Sequence, residues 1–506
     1  MACDAVLVLA AVAVVLLTWL AMYMLVWRPY AVQKAFRQQG IGGPAYRFWV
    51  GSNEESEAMH AATADDVLDH RSHDILPRAM PHYQAWTASY GKVFLSWMGF
   101  MPVLCISDYD MVKHILSNKA GVFNKALPGP KLLALLGRGL IFADGADWLR
   151  HRRVVHPAFT MDKLKMMAPT MAECAEEVVG SWEADAAASG GVLRVEDVGK
   201  HFADLTADVI SRTAFGGEGK EVFPVQEELQ RLAFAGINIV PLPGLEYLPT
   251  KDNMRLWKLA KRLRGMLMAI IRGRGASGGG YGGDLLGLML EANVSAGLLS
   301  SDDIIDECKT FFIAGHDTTS HLLSWAVFLL GTHPEWQHKL RQEVLQECGG
   351  AGTLHGDVLS RLKQMTMVLY EALRLYGPIS LVARRATADT EVGGVKIPKG
   401  TIIMIPIAMM HRDEQMWGAD AGEFKPERFR DGVGRAAKHP SAMLAFSLGP
   451  RSCIGQDFAM LEAKATLALI LRRFEFTVAP DYVHAPAQFL ALRPKYGIPI
   501  LLNLLQ

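Results

Sequence analysis

The 506-residue sequence predicts a mainly α-helical fold with small β-sheets, preceded by one transmembrane helix. Apolar residues recur with helical spacing over most of residues 147–376, whereas strand-like runs are short and sparse, at 93–97, 401–407 and 474–478. No repeat or internal boundary divides this region, so a single large domain is expected.

The transmembrane helix is predicted from an uncharged apolar run at residues 5–26. As a helix it would reach about 33 Å, enough for a bilayer core. Asp4 precedes the run and the basic residues Arg28 and Lys34 follow it, whereas a cleaved signal peptide carries its positive charge first. Basic flanks stay in the cytosol, so residues 1–4 are expected in the lumen. A removed signal peptide is the less favoured alternative.

The rest of the chain is expected in the cytosol, with a linker at residues 27–44 that contains a Gly/Pro hinge, and a globular body at 45–506. Lys+Arg and Asp+Glu both total 52, which argues against a nucleic-acid partner. The six cysteines are scattered without a CxxC pair, which favours a reducing compartment.

The most informative segment, FSLGPRSCIG at residues 446–455, places Cys453 in a glycine-rich loop. A thiolate that binds iron must be shielded from water, usually by a turn whose backbone N–H groups point at the sulfur. Gly449 and Gly455 permit such a turn, and Phe446 can pack over the sulfur. The alternative is a buried free cysteine.

One long helix is predicted over residues 301–330 because Ser300 and Asp303 form a capping box at its start, while Gly331 and Pro334 mark its end. A glycine in the middle of such a helix costs about 1 kcal/mol relative to alanine. A flat ligand lying against this part of the helix would explain the glycine.

The middle of this helix carries the motif AGHDTT, in which Ala314 and Gly315 are the small residues. Asp317 and Thr318 can relay protons into a pocket beside a thiolate-bound iron. Alternatively, the polar pair bonds only to its own backbone. A second strong ligand would block O2, so His316 is expected to be structural or solvent-facing.

Two groups of charged residues complete the predicted site. Glu371 and Arg374 lie on one helix face and form an ion network with Arg428 of the KPERF segment. Trp148 and Arg152 lie four residues apart and offer donors to an anionic cofactor edge. The remaining cations at that edge are Arg384 and Arg451. Each arginine alone could equally be a solvated surface residue.

The motifs FSLGPRSCIG, AGHDTT, EALR, PERF and WLRHR together resemble those of the cytochrome P450 haem-thiolate monooxygenases, from the anchor to the carboxyl terminus. The segments DECKTFF, LRLYGP and RPKYG look like the plant clan that includes secologanin synthase and cytokinin hydroxylase. Within it, the YGP and AFS versions look closest to a branch with in-chain fatty-acid hydroxylases.

This resemblance implies the cytochrome P450 fold and the insertion of one oxygen atom from O2 into a small hydrophobic molecule, a fatty acid or a plant hormone or isoprenoid. Electrons would come from NADPH through NADPH-cytochrome P450 reductase at the endoplasmic reticulum membrane. A hormone hydroxylase, such as one for cytokinins, is an alternative to a fatty-acid hydroxylase. An O2-independent haem-thiolate isomerase or dehydratase typically lacks the acid–alcohol pair present here.

By the same resemblance Cys453 is the thiolate ligand of haem b, and Asp317 and Thr318 are the acid and the alcohol. Glu371, Arg374 and Arg428 form the structural triad. The expected propionate partners are Trp148, Arg152, Arg384 and Arg451. The sequence departs from the commonest family pattern at Gly377, where many relatives have proline, and at Asp317, where glutamate is more frequent.

A mostly apolar substrate pocket is expected from positions relative to the motifs, although such residues can also be plain core. The expected lining residues are Phe123, Phe311, Phe312, Ile379, Leu381, Phe489, Leu490 and the segment 233–248. A basic cluster is expected either to meet an acidic reductase surface or to be solvated. It comprises Arg150, Arg152, Arg153, Lys163 and Lys165.

Overall fold

The structure is a computed structural model that describes residues 2–126, 129–217, 219–234, 247–276, 280–349, 354–489 and 491–505. Helices dominate it. The α-helices are α1 (Ala2–Met22), α2 (Arg28–Arg37), α3 (Asn53–Ala62), α4 (Leu76–Ala79), α5 (Pro81–Tyr90), α6 (Tyr109–Ser117), α7 (Pro130–Leu136), α8 (Gly145–Val155), α9 (Met161–Ala188), α10 (Val198–Phe215), α11 (Val222–Phe234), α12 (Lys251–Ala276), α13 (Leu285–Ala296), α14 (Ser301–Thr332), α15 (Pro334–Cys348), α16 (Gly356–Arg361), α17 (Lys363–Tyr376), α18 (Ile407–Met410), α19 (Glu414–Trp417) and α20 (Gln456–Arg473).

Small sheets lie at the edges of this helical body. The strands are β1 (Val93–Met98), β2 (Met101–Ile106), β3 (Phe123–Asn124), β4 (Val192–Val195), β5 (Val382–Ala386), β6 (Thr390–Val392), β7 (Val395–Ile397), β8 (Ile402–Ile405), β9 (Phe474–Val478), β10 (Pro486–Gln488), β11 (Leu492–Pro494) and β12 (Ile500–Leu504). The largest sheet has the order β1-β2-β8-β5-β3, in which only the β2–β8 pair is parallel. The predicted fold class, mainly α with small sheets, is confirmed.

The long helix α14 begins and ends close to the predicted positions. The Ser300 hydroxyl accepts a hydrogen bond from the Asp303 amide, and the Asp303 carboxylate accepts one from the Ser300 amide, which completes the capping box. Pro334 begins the next helix. The carboxyl-terminal half of α14 is buried among α10, α17 and α20, so this helix is the central support of the fold.

The amino-terminal helix is long and apolar enough to cross a membrane, and residues 4–23 of its apolar stretch are all exposed within the described part of the chain. It continues through a π-helical turn at Tyr23–Trp27 into α2. The segment predicted as a linker is therefore helical up to Arg37. Phe36 has no exposed surface and Ile41 is buried, so both of these residues pack on the body.

Candidate functional site

The loop around Cys453 precedes α20 and makes a tight turn. Gly449 has a φ of +70°, and a Cβ there would lie 2.5 Å from the Leu116 carbonyl oxygen, so this position requires glycine. The Cys453 amide donates a hydrogen bond of 2.8 Å to the Phe446 carbonyl. Gly455 adopts an ordinary φ of −87° as the N-cap of α20, so the turn does not need its conformational freedom.

The Cys453 side chain is exposed, but the surface that it exposes lines an internal cavity. Burial raises the pKa of the thiol, whereas the Gly455 amide and the charges of Arg152 and Lys125 lower it. Burial outweighs these effects, so the pKa of the thiol is raised overall, but the amide and the two cations reduce the cost of forming a thiolate at this buried position. The site thus provides a metal-ligating group in the wall of the cavity.

The cavity has a volume of about 500 Å³ and lies between the Cys453 loop, α14 and the segment that leads into β5. On the α14 side it is lined by Ala314, Gly315, Asp317 and Thr318. Residues far apart in sequence thus converge on one space, with the cysteine in one wall and the acid–alcohol pair in another.

The acid–alcohol pair has distinct surroundings. Burial raises the pKa of the Asp317 carboxyl, which the charges of His316 and Arg493 partly counteract, so this group holds a proton more readily than a solvated aspartate. The Thr318 hydroxyl donates a hydrogen bond of 2.6 Å to the Ala314 carbonyl. Since a hydroxyl also has two acceptor positions, Thr318 can still accept a hydrogen bond from the cavity.

The structure gives a packing reason for glycine at position 315 that the sequence did not reveal. A Cβ at Gly315 would lie 2.3 Å from Cδ1 of Ile210 on α10, a distance that real contacts do not show. Close packing between α10 and α14 therefore favours glycine here, because a Cβ would force the Ile210 side chain to move. Gly315 also lines the cavity, so helix packing adds a second reason for this glycine to the flat ligand that the sequence suggested.

One edge of the cavity is cationic. The Arg451 guanidinium lies 4.9 Å from the centroid of the Trp148 ring and forms an ion pair of 2.5 Å with Asp144. Arg152 Nη1 lies 3.5 Å from the Ser452 carbonyl oxygen. Arg384 is buried on β5, and burial followed by the charge of Arg451 lowers its pKa to about 10.

Lys125 also lines this edge, and the sequence analysis missed it. Burial, followed by the charges of Arg384 and Arg451, lowers its pKa to about 7, against the opposing effect of Asp144. We call the lining residues Lys125, Arg152 and Arg451, together with their buried neighbour Arg384, the cationic edge. One neighbouring carboxylate, Asp144, cannot balance three arginines and a partly protonated lysine, so the edge is suited to an anionic group.

The predicted triad is assembled. Arg374 Nε lies 2.7 Å from Glu371 Oε2, and neither side chain has any exposed surface. Arg374 also donates to the carbonyls of His411 and Ala421. Arg428 Nε lies 3.4 Å from Glu371 Oε1, an ion-pair distance without hydrogen-bond alignment. The network joins α17 to the segments that follow β8 and lead toward the Cys453 loop.

Only some of the residues predicted to line the pocket lie in the wall of the cavity. Phe311, Ile379 and Leu381 line the cavity. Phe312 is not among the residues that line this cavity, because its ring stacks on Phe215 at 4.3 Å in the core.

Two further residues predicted for the pocket lie outside the lining of this cavity in the described part of the chain. Phe123 is buried in β3 opposite Ala386, away from the cavity lining. Phe489 is 47% exposed and lies under the Arg493 guanidinium at 4.5 Å. Leu490 and most of the segment 233–248 lie outside the described residues.

Other predicted residues have local partners. His316 packs against Phe223, with ring centroids 5.6 Å apart, which agrees with a structural role. In the basic cluster, Arg150 pairs with Asp147 at 2.9 Å and Lys165 with Asp357 at 2.6 Å. Part of that positive charge is therefore already neutralised within the chain.

Comparison with known proteins shows the family. Residues 70–500 match the cytochrome P450 family model. The chain is 44% identical over 496 residues to cytochrome P450 709B1 of Arabidopsis thaliana, covering 96% of each protein. It is 43% identical to cytochrome P450 734A6 of Oryza sativa subsp. japonica, covering 94% of this chain and 91% of that protein. It is 40% identical to secologanin synthase 1 of Catharanthus roseus, covering 94% and 93%.

The chain therefore belongs to the cytochrome P450 family, whose members are monooxygenase oxidoreductases. The predicted resemblance to plant P450s that include secologanin synthase is confirmed. Family membership implies a haem with a thiolate-bound iron, a redox partner, O2 and a small organic substrate.

Proposed function

We propose that the cavity binds haem b with Cys453 as the thiolate ligand and the cationic edge as the partner of the propionates. Three observations support this fit: a cysteine in the cavity wall, an amide and two cations that partly offset the cost of a buried thiolate, and an edge with unbalanced positive charge. When bound, the haem supplies the O2 chemistry of the reaction.

The observation that carries the proposed activity is that Asp317 and Thr318 line the same cavity as Cys453. Asp317, with its raised pKa, holds a proton beside the cavity. Thr318 orients a donor through its free acceptor positions while its own proton is held by Ala314. These residues deliver protons into a space that is otherwise apolar, as a monooxygenase requires.

The substrate is a small hydrophobic molecule, a fatty acid or a plant hormone or isoprenoid. The cavity is lined largely by aliphatic and aromatic side chains, including Leu140, Phe311 and Leu381, and a pocket of this kind excludes water around an apolar ligand. Family likeness does not transfer a particular substrate, because pocket shape depends on loops and one fold serves many substrates.

The electrons come from NADPH through NADPH-cytochrome P450 reductase. The protein lies in the endoplasmic reticulum membrane, and its catalytic domain, residues 45–506, lies in the cytosol. This part of the proposal rests on the amino-terminal apolar helix and on the basic residues Arg28 and Lys34 that follow it.

An O2-independent isomerase or dehydratase is the second candidate. Nothing in its chemistry requires a proton-delivering acid and alcohol at the cavity, so the placement of Asp317 and Thr318 disfavours it.

Replacement of the cysteine tests the proposal. Cys453→Ala should remove the absorption band that reduced, thiolate-ligated haem gives with CO. The control is Cys348→Ala, which replaces a buried cysteine and should retain the band. A band that survives in Cys453→Ala would show that another residue binds the iron. The wild-type protein with a plant reductase and NADPH, offered fatty acids, cytokinins, gibberellins and brassinosteroids, should add one oxygen to a member of this pool.

A further inference from the structure

The amino-terminal helix reaches the body of the protein without a break. One continuous helix covers Asp4–Arg37 and includes α1, the π-helical turn at Tyr23–Trp27 and α2. Its residues 4–23 are exposed, whereas residues 24–26 are partly covered. The helix therefore first contacts the body at the end of its apolar stretch.

Pro29 leaves a backbone oxygen available at this point. In an α-helix the Leu25 carbonyl oxygen accepts a hydrogen bond from the amide of residue 29, but proline has no amide hydrogen. The Tyr46 hydroxyl donates a hydrogen bond of 2.6 Å to the Leu25 carbonyl oxygen. Because Tyr46 lies beyond the end of α2, this hydrogen bond joins the helix to a separate segment of the chain.

Tyr46 is itself held against β1 of the largest sheet. Its ring packs on the buried Trp97, with the ring centroids 4.9 Å apart. The Leu95 amide of the same strand donates a hydrogen bond of 2.9 Å to the Gly42 carbonyl. A Cβ at Gly43 would lie 1.8 Å from the Leu95 carbonyl oxygen, so this close approach requires glycine. The hydroxyl that bonds to the helix is thus fixed to the sheet.

Helix α2 is held at two further places. Its buried residues, Pro29, Val32 and Phe36, recur with helical spacing and so form one face against the body. Just beyond its end, Gln39 Nε2 donates a hydrogen bond of 3.1 Å to the Lys396 carbonyl, and Gln39 Oε1 accepts one of 2.7 Å from the Lys396 amide. Since Lys396 lies in β7, two separate sheets hold the two ends of α2.

We propose that Tyr46 fixes the angle between α1 and the body, so that the body has one orientation at the bilayer surface. A flexible tether consists of residues without regular structure, whereas this helix continues to Arg37 and is bonded to the body on both sides of α2. A body with a fixed orientation meets a redox partner in the same membrane without first losing rotational freedom. Because it takes α1 as the membrane anchor, the proposal rests on the proposed function.

The test is the distance between a spin label on α1 and a spin label on the body. Pulsed electron paramagnetic resonance measures it in the full-length protein, in detergent and in lipid nanodiscs. Non-natural amino acids at the exposed positions Val15 and Glu57 carry the labels, so that the native cysteines are kept. The wild-type protein should give one narrow distribution of distances. Tyr46→Phe, which removes only the hydroxyl, should broaden that distribution.

Hydrogen–deuterium exchange gives a second readout on the same proteins. Tyr46→Phe should speed the exchange of peptides that cover residues 24–37 about fivefold, the factor expected when one hydrogen bond of the closed state is lost. Gln39→Ala, which leaves Tyr46 intact, should speed exchange in the same peptides from the other end of α2. The double variant should have a broader distance distribution than either single variant.

Tyr30→Phe is the matched control, because it removes one hydroxyl from a residue of α2 that is 71% exposed. It should change neither the distances nor the exchange. A distribution as narrow in Tyr46→Phe as in wild type, or a broad distribution in wild type, would overturn the proposal.

The proposed function fails separately, if the wild-type protein binds no haem or does not enter nanodiscs. The distance measurement in detergent needs neither haem nor a bilayer, so it would still decide whether Tyr46 fixes α1 to the body.

Discussion

Arg374 and Glu371 form a two-pronged ion pair in which neither side chain has any exposed surface. Nε lies 2.7 Å from Oε2 and Nη2 lies 2.8 Å from Oε1. The remaining guanidinium protons are donated to backbone carbonyls, among them those of His411 and Ala421. The pair therefore ties α17 to the chain segments that precede the Cys453 loop.

Arg374→Lys should destabilise the protein by about 3 kcal/mol or more, because an ammonium group cannot make the forked pair and the carbonyl bonds together. The midpoint of denaturant unfolding, with haem release as the signal, measures this loss. Arg361→Lys is the control, since Arg361 pairs with Glu347 at 2.7 Å but is half exposed, and it should cost less than about 1 kcal/mol. Equal effects would show that burial of the pair is unimportant.

Thr318→Ala should retain the haem and the consumption of NADPH but divert turnover to hydrogen peroxide, because the hydroxyl that orients proton delivery is removed. The ratio of peroxide formed to NADPH consumed, measured with purified reductase, reports the change. Thr332→Ala, at the far end of α14, should leave that ratio unchanged. An unaltered ratio in Thr318→Ala would refute the proton-delivery role.

Lys125→Met should speed the loss of haem severalfold, because it removes a cationic group from the edge that we propose binds the propionates. Transfer of haem to excess apomyoglobin gives the rate. Lys119→Met, at an exposed position six residues earlier, serves as the control. If the two variants lose haem at the same rate as wild type, Lys125 has no part in holding the cofactor.

Acid should destabilise the protein through its buried histidines. Burial lowers the pKa to about 3 at His73, His82, His411 and His484. An unfolded histidine has a pKa near 6.5, so the unfolded state binds more protons between these values, and the free energy of unfolding falls as pH drops from about 6.5 toward 3.

His411→Gln isolates one of these histidines. His411 Nε2 accepts a hydrogen bond of 2.9 Å from the Leu444 amide, which glutamine can also accept without titrating. As the pH falls through that range, the free energy of unfolding of the variant should decrease by up to about 1.4 kcal/mol less per pH unit than that of wild type. Unfolding midpoints at pH 7 and pH 5 measure the difference, with the exposed His355→Gln as control. Identical pH slopes for wild type and His411→Gln would contradict the prediction.

Two truncations should separate the anchor from the fold. Removal of residues 1–27 should release much of the protein from membranes with its haem spectrum intact, because α1 makes no packing contact with the body. Removal of residues 1–44 should destabilise it by about 3 kcal/mol or more, since the buried Phe36 and Ile41 leave the core. Membrane fractionation and thermal unfolding of both forms measure these effects, and equal stability would show that α2 does not support the fold.

Features of local sequence were predictable. The capping box at Ser300, the helix that follows it and the strand at 474–478 lie where the pattern places them, because caps and periodicity act between residues a few positions apart. The directions in which adjacent side chains face were harder to predict from the sequence. Phe311 and Phe312 differ by about 100° around the helix, and only the position of α10 decided that Phe311 faces the cavity and Phe312 the core.

The sequence by itself determined the family, the helical class, the membrane-length apolar helix and the types of residue at the site, because motifs and local patterns specify these features. Only the tertiary structure decided that Lys125 joins the cationic edge, that Ile210 packs against Gly315, and that Phe36 and Ile41 pack on the body. Those relationships depend on how distant segments pack, and packing is set by the shape of the whole core.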